Sequence, residues 1–244
     1  MRQALSVEDP ALREPGVSAL VHDVGGAGVL SVIVFGSVAR GEANERSDLD
    51  VLIVVEDNET RAAVLRSIRE GPLREMSPLV LTRDALMRGL PVRPSFVAHL
   101  LDEGVSVYET PAWRDIEANL AAAVDDVDAL AAEVERRTKE LEPLAHPERF
   151  ATSPVTAMSH LYGVARALIT ARLLQLGIHE YSWQRVFDRY AEIHPELISD
   201  LDAVKALRPY YECARGRPGA EVPTRAVAPE DLRKLVASVE RLAA

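Results

Sequence analysis

Residues 31–57 constrain the fold more than any other part of the sequence, because two strongly apolar runs there flank a short polar loop. The first run ends at Gly36, and the second opens with Asp48 and Asp50. Side chains alternate between the two faces of a strand, so these two carboxylates point in the same direction. Carboxylates held side by side repel each other unless a cation lies between them. Mg²⁺ takes hard oxygen ligands together with substrate phosphates, and we therefore predict that Asp48 and Asp50 bind Mg²⁺.

The end of the first run has the features of a phosphate-binding turn. Gly36 and Ser37 lie where a strand is expected to turn into a helix, and glycine lets the backbone approach a ligand closely. The first N–H groups of a helix have no acceptor inside the helix and can bind a phosphate. Arg40 follows one turn later, where its guanidinium either reaches the same phosphates or stays solvated.

The Gly36-Ser37 pair, followed after residues 38–47 by Asp48-x-Asp50, resembles the signature of the nucleotidyltransferase superfamily that includes DNA polymerase β. The longer string GSVARGEANERSDLDVLIV is similar to the minimal nucleotidyltransferases and, more loosely, to the antibiotic nucleotidyltransferases. The resemblance covers residues 28–110.

This resemblance implies a specific activity. A nucleoside monophosphate would move from a nucleoside triphosphate, with ATP expected, to a hydroxyl acceptor, and pyrophosphate would be released. Two Mg²⁺ ions would bind at Asp48 and Asp50 together with the triphosphate. Gly36 and Ser37 would hold the outer phosphates, with Arg40 as a further candidate nucleotide ligand.

The third strand departs from the pattern of the superfamily. Its members usually place a third carboxylate there, which helps to bind the catalytic metal and deprotonates the attacking hydroxyl. In this sequence that position falls on or near Ser77, while Glu75 lies two residues earlier and therefore on the same strand face. Either Glu75 supplies the third carboxylate, or the site has two carboxylates and weak or no activity. The second alternative describes a binding protein of an antitoxin-like kind.

Composition indicates the cellular compartment of the protein and the class of its partners. The chain has 244 residues, one cysteine and a net charge of −10. A single cysteine excludes an internal disulfide framework. The sequence has neither a signal-peptide pattern nor an apolar run long enough to cross a bilayer, so we predict a cytoplasmic protein with no membrane partner. The acidic balance disfavours general nucleic-acid binding and favours a cationic small molecule over an RNA end as the acceptor, with a protein tyrosine left open.

Hydrophobic periodicity predicts an α/β fold in the N-terminal part of the chain. We predict a nucleotidyltransferase domain over residues 1–110, with a mixed sheet flanked by helices. The second strand is nearly continuous Val, Leu and Ile, so it should be buried on both faces. The expected strands are Val29–Phe35, Asp48–Val55, Met76–Thr82 and 105–108.

Beyond Thr110 the pattern is helical, and we predict an all-α helical bundle over residues 111–244. One long helix is expected from Trp113 to Leu141. Its apolar stripe would be covered either by other helices of the bundle or by a second copy of the chain in a homodimer. The bundle resembles loosely the HEPN-type domains that accompany minimal nucleotidyltransferases, and also the substrate-binding bundle of aminoglycoside-modifying enzymes. Three glutamates are expected on the solvated face of the long helix: Glu133, Glu135 and Glu140.

One segment of the predicted bundle combines arginine with tyrosine. In residues 208–215, RPYYECAR, rings and guanidinium groups alternate. They form either the wall of a ligand site, where a base or ring stacks, or a packed helix end with solvated arginines. Packing is the interpretation that we favour.

Overall fold

The computed structural model describes residues 19, 21–22, 24, 26, 28–43, 47, 49–70, 78–89, 92–124, 126–146, 154–216, 220 and 228–243. The chain divides into two compact units, Met1–Asp126 and Val127–Ala244. Within the described ranges, no helix is both long enough and apolar enough to cross a lipid bilayer.

A four-stranded sheet forms the centre of the first unit. Its strands are β1 (Val29–Phe35), β2 (Asp50–Val55), β3 (Leu79–Thr82) and β4 (Val105–Glu109). Strand β1 lies between β2 and β4 and is antiparallel to both, while β2 runs parallel to β3. The order across the sheet is β3-β2-β1-β4. The predicted mixed sheet is thereby confirmed.

Helices cover both faces of this sheet. They are α1 (Gly36–Ala39), α2 (Asn58–Glu70), α3 (Arg83–Gly89), α4 (Pro94–Glu103) and α5 (Pro111–Val124). On one face, Val51 and Ile53 of β2 pack in a cluster with Val64 of α2. On the other face, Leu52 of β2 packs in a cluster with Trp113 of α5. Layers on both sides explain why β2 is apolar at nearly every position, and they confirm its predicted burial on both faces.

The single long helix predicted from Trp113 to Leu141 is wrong. The structure has two helices there, because α5 ends at Val124 and a new helix, α6, spans Val127–Lys139. Asp126 directly precedes α6, and aspartate is a favoured N-cap residue that starts a helix instead of continuing one.

The two halves of the predicted stripe pack in different places. Trp113, Ile116 and Leu120 of α5 are buried in the core of the first unit. Leu130 and Val134 of α6 are buried in the second unit, where α6 packs against the helix that follows it. These five residues of the stripe are thus covered within one chain, whereas Val127, the first residue of α6, is 60% exposed. Helix α5 therefore packs with the sheet, although the sequence predicts that the helical domain begins at Pro111, the first residue of α5.

The second unit is a helical bundle around one long, buried helix. After α6 come α7 (Pro154–Gln175), α8 (Arg185–Ile193), α9 (Ile198–Lys205), α10 (Arg208–Ala214) and α11 (Pro229–Ala243). Helix α7 packs against α6, α8, α10 and α11. Gly177, two residues beyond its last residue, has a φ of +71°. The N–H of Ile178 donates to the carbonyl of Leu173 at 2.9 Å, a common way to close a helix C-terminus.

The last helix of the bundle is held at its C-terminal end by side chains from other helices. The buried hydroxyl of Tyr190 donates to the carbonyl of Leu242 at 3.0 Å. Arg172 donates to the carbonyl of Ala243. Arg241 binds both carboxylate oxygens of Asp200, at 2.9 and 2.5 Å. Carbonyls at a helix end lack intrahelical donors, so these contacts satisfy groups that the helix itself leaves open.

The predicted solvated face of α6 is wrong in one position. Glu135 is exposed and Glu140 is half-buried, but Glu133 is 1% exposed. One carboxylate oxygen of Glu133 lies 3.6 Å from Nη2 of Arg136 and 3.7 Å from Nε of Arg137. Two guanidinium groups near a buried carboxylate explain how a charge is accommodated at this depth.

Candidate functional site

The end of β1 and the start of β2 meet at the candidate site. Phe35 and Asp50 are paired across the two antiparallel strands, so Gly36 lies beside Asp50. Gly36 has a φ of +74°, in the left-handed region that favours glycine. A Cβ atom added to Gly36 would lie 2.6 Å from Oδ2 of Asp50. The carboxylate therefore covers the glycine backbone at a distance that no other residue type permits.

The α1 turn that follows Gly36 is short and closed by its own hydrogen bonds. The N–H of Arg40 donates to the carbonyl of Gly36 at 3.2 Å, and the N–H of Glu42 donates to that of Ser37 at 2.9 Å. Val38 is 4% exposed and packs into the same core cluster as Val51. The buried Val38 thus fixes this turn to the sheet, and Gly36 and Ser37 lie together at its start, as predicted.

Three of the predicted positions fall outside the described residues. These are Asp48, Glu75 and Ser77. Their roles as metal ligands, or as the third carboxylate, therefore stay predictions. Within the described parts of the chain, no group of three or more His, Cys, Asp or Glu side chains is arranged to hold a metal ion.

Arg40 is bound by two carboxylates. Its Nε donates to Glu42 at 2.7 Å and its Nη1 donates to Glu103, at the end of α4, at 2.6 Å. Burial disfavours the charge of Arg40, but the hydrogen bonds to Glu42 and Glu103 outweigh burial and raise its pKa. The predicted contact of Arg40 with phosphates stays a prediction.

His99 and Glu103 are the residues near this turn that the sequence reasoning missed. Nε2 of His99 lies 2.9 Å from Oε2 of Glu103. The ring of His99 packs edge-on against the ring of Phe35, the residue before Gly36, with centroids 5.6 Å apart. One sequence signal was present, because His99 and Glu103 are four residues apart on one helix and so lie on one face. Nothing in the local pattern indicated that this face meets Arg40.

The mixed RPYYECAR segment packs as a helix end. Arg208 pairs with Glu212 at 2.7 Å. The guanidinium of Arg215 lies 5.0 Å from the ring centroid of Tyr211, and Tyr211 contacts Trp183 with ring centroids 4.8 Å apart. These rings therefore contact one another and guanidinium groups, which agrees with the packing interpretation.

The segment that contains Gly36, Ser37 and Asp50 lies within a range that matches a known family. Residues 18–107 match the model of one family, described as the nucleotidyltransferase domain. This part of the chain is a nucleotidyltransferase domain. The resemblance drawn from the glycine-serine pair and the spaced aspartates is confirmed, and the matched range contains every predicted site residue. Nucleotidyltransferases generally use divalent metal ions. No curated protein matches the chain by sequence.

Solved structures similar to this chain include an antibiotic adenyltransferase. Spectinomycin adenyltransferase AAD(9) from Enterococcus faecialis, solved with ATP and spectinomycin, is 11% identical with a TM-score of 0.50, over 93% of this chain and 96% of that one. At this identity the similarity shows the fold alone, and the fold includes the helices after the nucleotidyltransferase domain.

Two further solved structures align with the chain at lower TM-scores. A nucleotidyltransferase-like protein from Exiguobacterium sibiricum 255-15 is 12% identical with a TM-score of 0.35, over 93% of this chain and 72% of that one. A toxin-antitoxin structure with AMP-PNP is 16% identical with a TM-score of 0.35, over 54% of this chain and 99% of that one.

Proposed function

We propose that the protein is a Mg²⁺-dependent nucleotidyltransferase that moves a nucleoside monophosphate from ATP to a hydroxyl acceptor and releases pyrophosphate. The observation that carries the proposal is the carboxylate of Asp50 lying directly over Gly36. Within a nucleotidyltransferase domain, this contact brings a hard oxygen ligand beside backbone that a phosphate can approach. The ATP preference follows AAD(9), which has a similar fold and was solved with ATP.

The donor chemistry of the site suits a divalent cation. Asp50 is a half-buried carboxylate at the start of β2. Alternation in the sequence predicts that the side chain of Asp48 points in the same direction. These two aspartates would hold Mg²⁺, which would offset the charge of the phosphates. Gly36 and Ser37 would bind the outer phosphates through the α1 turn.

The transfer step has a simple balance. The acceptor oxygen forms a bond to the α-phosphorus, and the bond from that phosphorus to the pyrophosphate oxygen breaks. The acceptor proton needs a base, and we assign this role to Glu75, which alternation in the sequence predicts on the same strand face as Ser77, on or near the position that the family uses. The acceptor is a small hydroxylated molecule, and the net charge of −10 favours a cationic one.

Calorimetric titration tests the nucleotide site. ATP, CTP, GTP and UTP are titrated with and without Mg²⁺ into the wild type, Asp50→Asn and Asp84→Asn. Asp84 is an exposed acid on α3, just beyond the C-terminal end of β3, whereas Asp50 starts the parallel strand β2. It is therefore a matched control at the opposite end of the sheet. The proposal predicts Mg²⁺-dependent binding that Asp50→Asn abolishes and Asp84→Asn retains.

Transfer is measured next, with α-labelled ATP and pyrophosphate release as readouts. Spectinomycin is the first acceptor to test, because AAD(9) was solved with it. Absence of nucleotide binding by the wild type would contradict the proposal. Nucleotide binding without transfer to any acceptor, in wild type and Glu75→Gln alike, would instead favour the non-catalytic binding protein.

A further inference from the structure

A charged cluster links the α1 turn to helix α4. It consists of Arg40, Glu42, His99 and Glu103. Arg40 bridges the two glutamates at 2.7 and 2.6 Å, and His99 lies 2.9 Å from the oxygen of Glu103 that Arg40 also binds. The side chains of Arg40, His99 and Glu103 are 11%, 14% and 16% exposed. Ionic groups shielded to this degree are not part of an ordinary solvated surface.

The position of this cluster allows it to influence the geometry of the α1 turn at the candidate site. Arg40 directly follows α1, and its own N–H donates to the carbonyl of Gly36. Glu103 is the last residue of α4, and α4 also contacts Phe35 through the ring of His99. The turn that begins with Gly36 is therefore held from both of its ends by α4.

The charge states support a fixed ion pair. Burial disfavours the ionised form of Glu103, but His99 and Arg40 outweigh burial and lower the pKa of Glu103. Both partners of the Arg40–Glu103 pair are thus charged near neutral pH. Removal of one partner of a shielded pair leaves the other charge poorly compensated, so the local structure has to rearrange.

We infer that Glu103 is a positioning residue for nucleotide binding. It acts through Arg40: the ion pair keeps the α1 turn in the geometry in which Gly36 and Ser37 receive phosphates. The charge of Arg40 is used to hold this turn and not to bind the triphosphate. The effect on nucleotide binding rests on the proposed function, whereas the role of Glu103 in holding the α1 turn rests on the contacts described above.

Hydrogen exchange of the nucleotide-free protein tests the structural part. The amides of Arg40, Gly41 and Glu42, which donate within the turn, are followed in the wild type and Glu103→Gln. We expect their exchange to rise on the order of tenfold, with the amides of β1 unchanged. Glu109→Gln is the matched control, because Glu109 forms an exposed ion pair with Arg114 at 3.2 Å. Unchanged exchange in Glu103→Gln would overturn the inference.

Nucleotide affinity tests the functional part. The dissociation constants of Mg²⁺-ATP and of inorganic tripolyphosphate are measured for Glu103→Gln, Arg40→Gln, the double variant and Glu103→Asp. We expect both single variants to bind several-fold more weakly, the double variant to be no weaker than either, and Glu103→Asp to recover part of the affinity.

Two outcomes separate this inference from the proposed function. Tighter triphosphate binding by Glu103→Gln would overturn the inference, since it would mean that Arg40, once released, binds phosphates. A wild type that binds no nucleotide would reject the proposed function, and the hydrogen-exchange result would still decide whether Glu103 holds the turn.

Discussion

Replacement of Gly36 by alanine tests the geometry of the site most directly, because the substitution has two separable effects. The first is backbone strain, since a residue with a Cβ atom at a φ of +74° is disfavoured by about 1–2 kcal/mol. The second is steric, since the new Cβ would lie 2.6 Å from Oδ2 of Asp50 and would force that carboxylate to move. Because the atom met is the end of a half-buried side chain, rotation of Asp50 relieves the contact at a cost of about 0.5–1.5 kcal/mol. The free energy of unfolding should therefore fall by roughly 1.5–3.5 kcal/mol.

Two further variants separate these effects. Gly177 has a nearly equal φ of +71°, and a Cβ added there meets nothing within 4 Å, so Gly177→Ala reports the strain alone. Asp50→Ala removes the atom that the new side chain would meet. The Cβ of Asp50 is 3.5 Å from the added atom, an ordinary contact. In the Asp50→Ala background, Gly36→Ala should therefore cost only the strain.

The assay is urea denaturation followed by circular dichroism on the wild type, both single variants and the double variant. We expect Gly36→Ala to destabilise the wild type more than it destabilises Asp50→Ala, by about 0.5–1.5 kcal/mol. Equal destabilisation in the two backgrounds would refute the contact between Asp50 and Gly36, and with it the observation on which the proposed function depends.

Three other substitutions test the second unit by the same denaturation assay. Tyr190→Phe removes the buried hydrogen bond to the carbonyl of Leu242 and should lower the free energy of unfolding by about 1–2 kcal/mol. The hydrogen bond from Arg241 lowers the pKa of Asp200 from its ordinary value. This carboxylate therefore stabilises the fold above the ordinary pKa of aspartate, and the contribution is lost as the pH falls through the folded-state pKa. Asp200→Asn should therefore be less stable than the wild type near neutral pH, with the difference vanishing in acid. Glu133→Gln removes the buried carboxylate near Arg136 and Arg137, which are partly exposed and keep Glu140 as a partner, and should cost about 1 kcal/mol.

Controls for these substitutions come from the same chain. Tyr108→Phe alters a half-buried tyrosine of β4, Asp202→Asn alters an exposed acid of α9, and Glu135→Gln alters an exposed acid of α6. Each control should change the stability by less than about 0.5 kcal/mol. A test variant that behaves like its control, or an Asp200→Asn effect that does not depend on pH, would contradict the corresponding contact.

The candidate site was predictable to the extent that it is local. Gly36 and Asp50 are close in the sequence, and the two apolar runs around them predict two strands, the second buried on both faces. Glycine at the end of the first strand and aspartate at the start of the second predict that both lie at one site, while their direct contact is seen only in the structure. The nucleotidyltransferase domain was predictable for the same reason, because its signature lies within one strand-turn-strand segment.

What the sequence did not predict depends on contacts between distant residues. The pattern of Trp113, Ile116 and Leu120 shows that α5 has an apolar face, but the same pattern fits packing on a sheet, in a bundle or in a dimer. The burial of Glu133 depends on which side of α6 meets α7. The pairing of Arg40 with Glu103 joins residues from opposite ends of the domain. Periodicity predicts that one face of a helix is buried, but the fold determines which element packs against that face.

The pairing of β1 with β2 also has a consequence for folding. These strands are joined through residues 36–49, whereas β1 and β4, which are also neighbours in the sheet, are separated along the sequence by residues 36–104. Closing a short loop requires less loss of chain entropy than closing a long one, so we expect the segment that bears the site to form before β4 joins. In stopped-flow experiments, Gly36→Ala should then slow refolding, while substitutions in β4 should mainly speed unfolding. The β1–β2 segment, which carries the candidate site, would then also be the first part of the sheet to form.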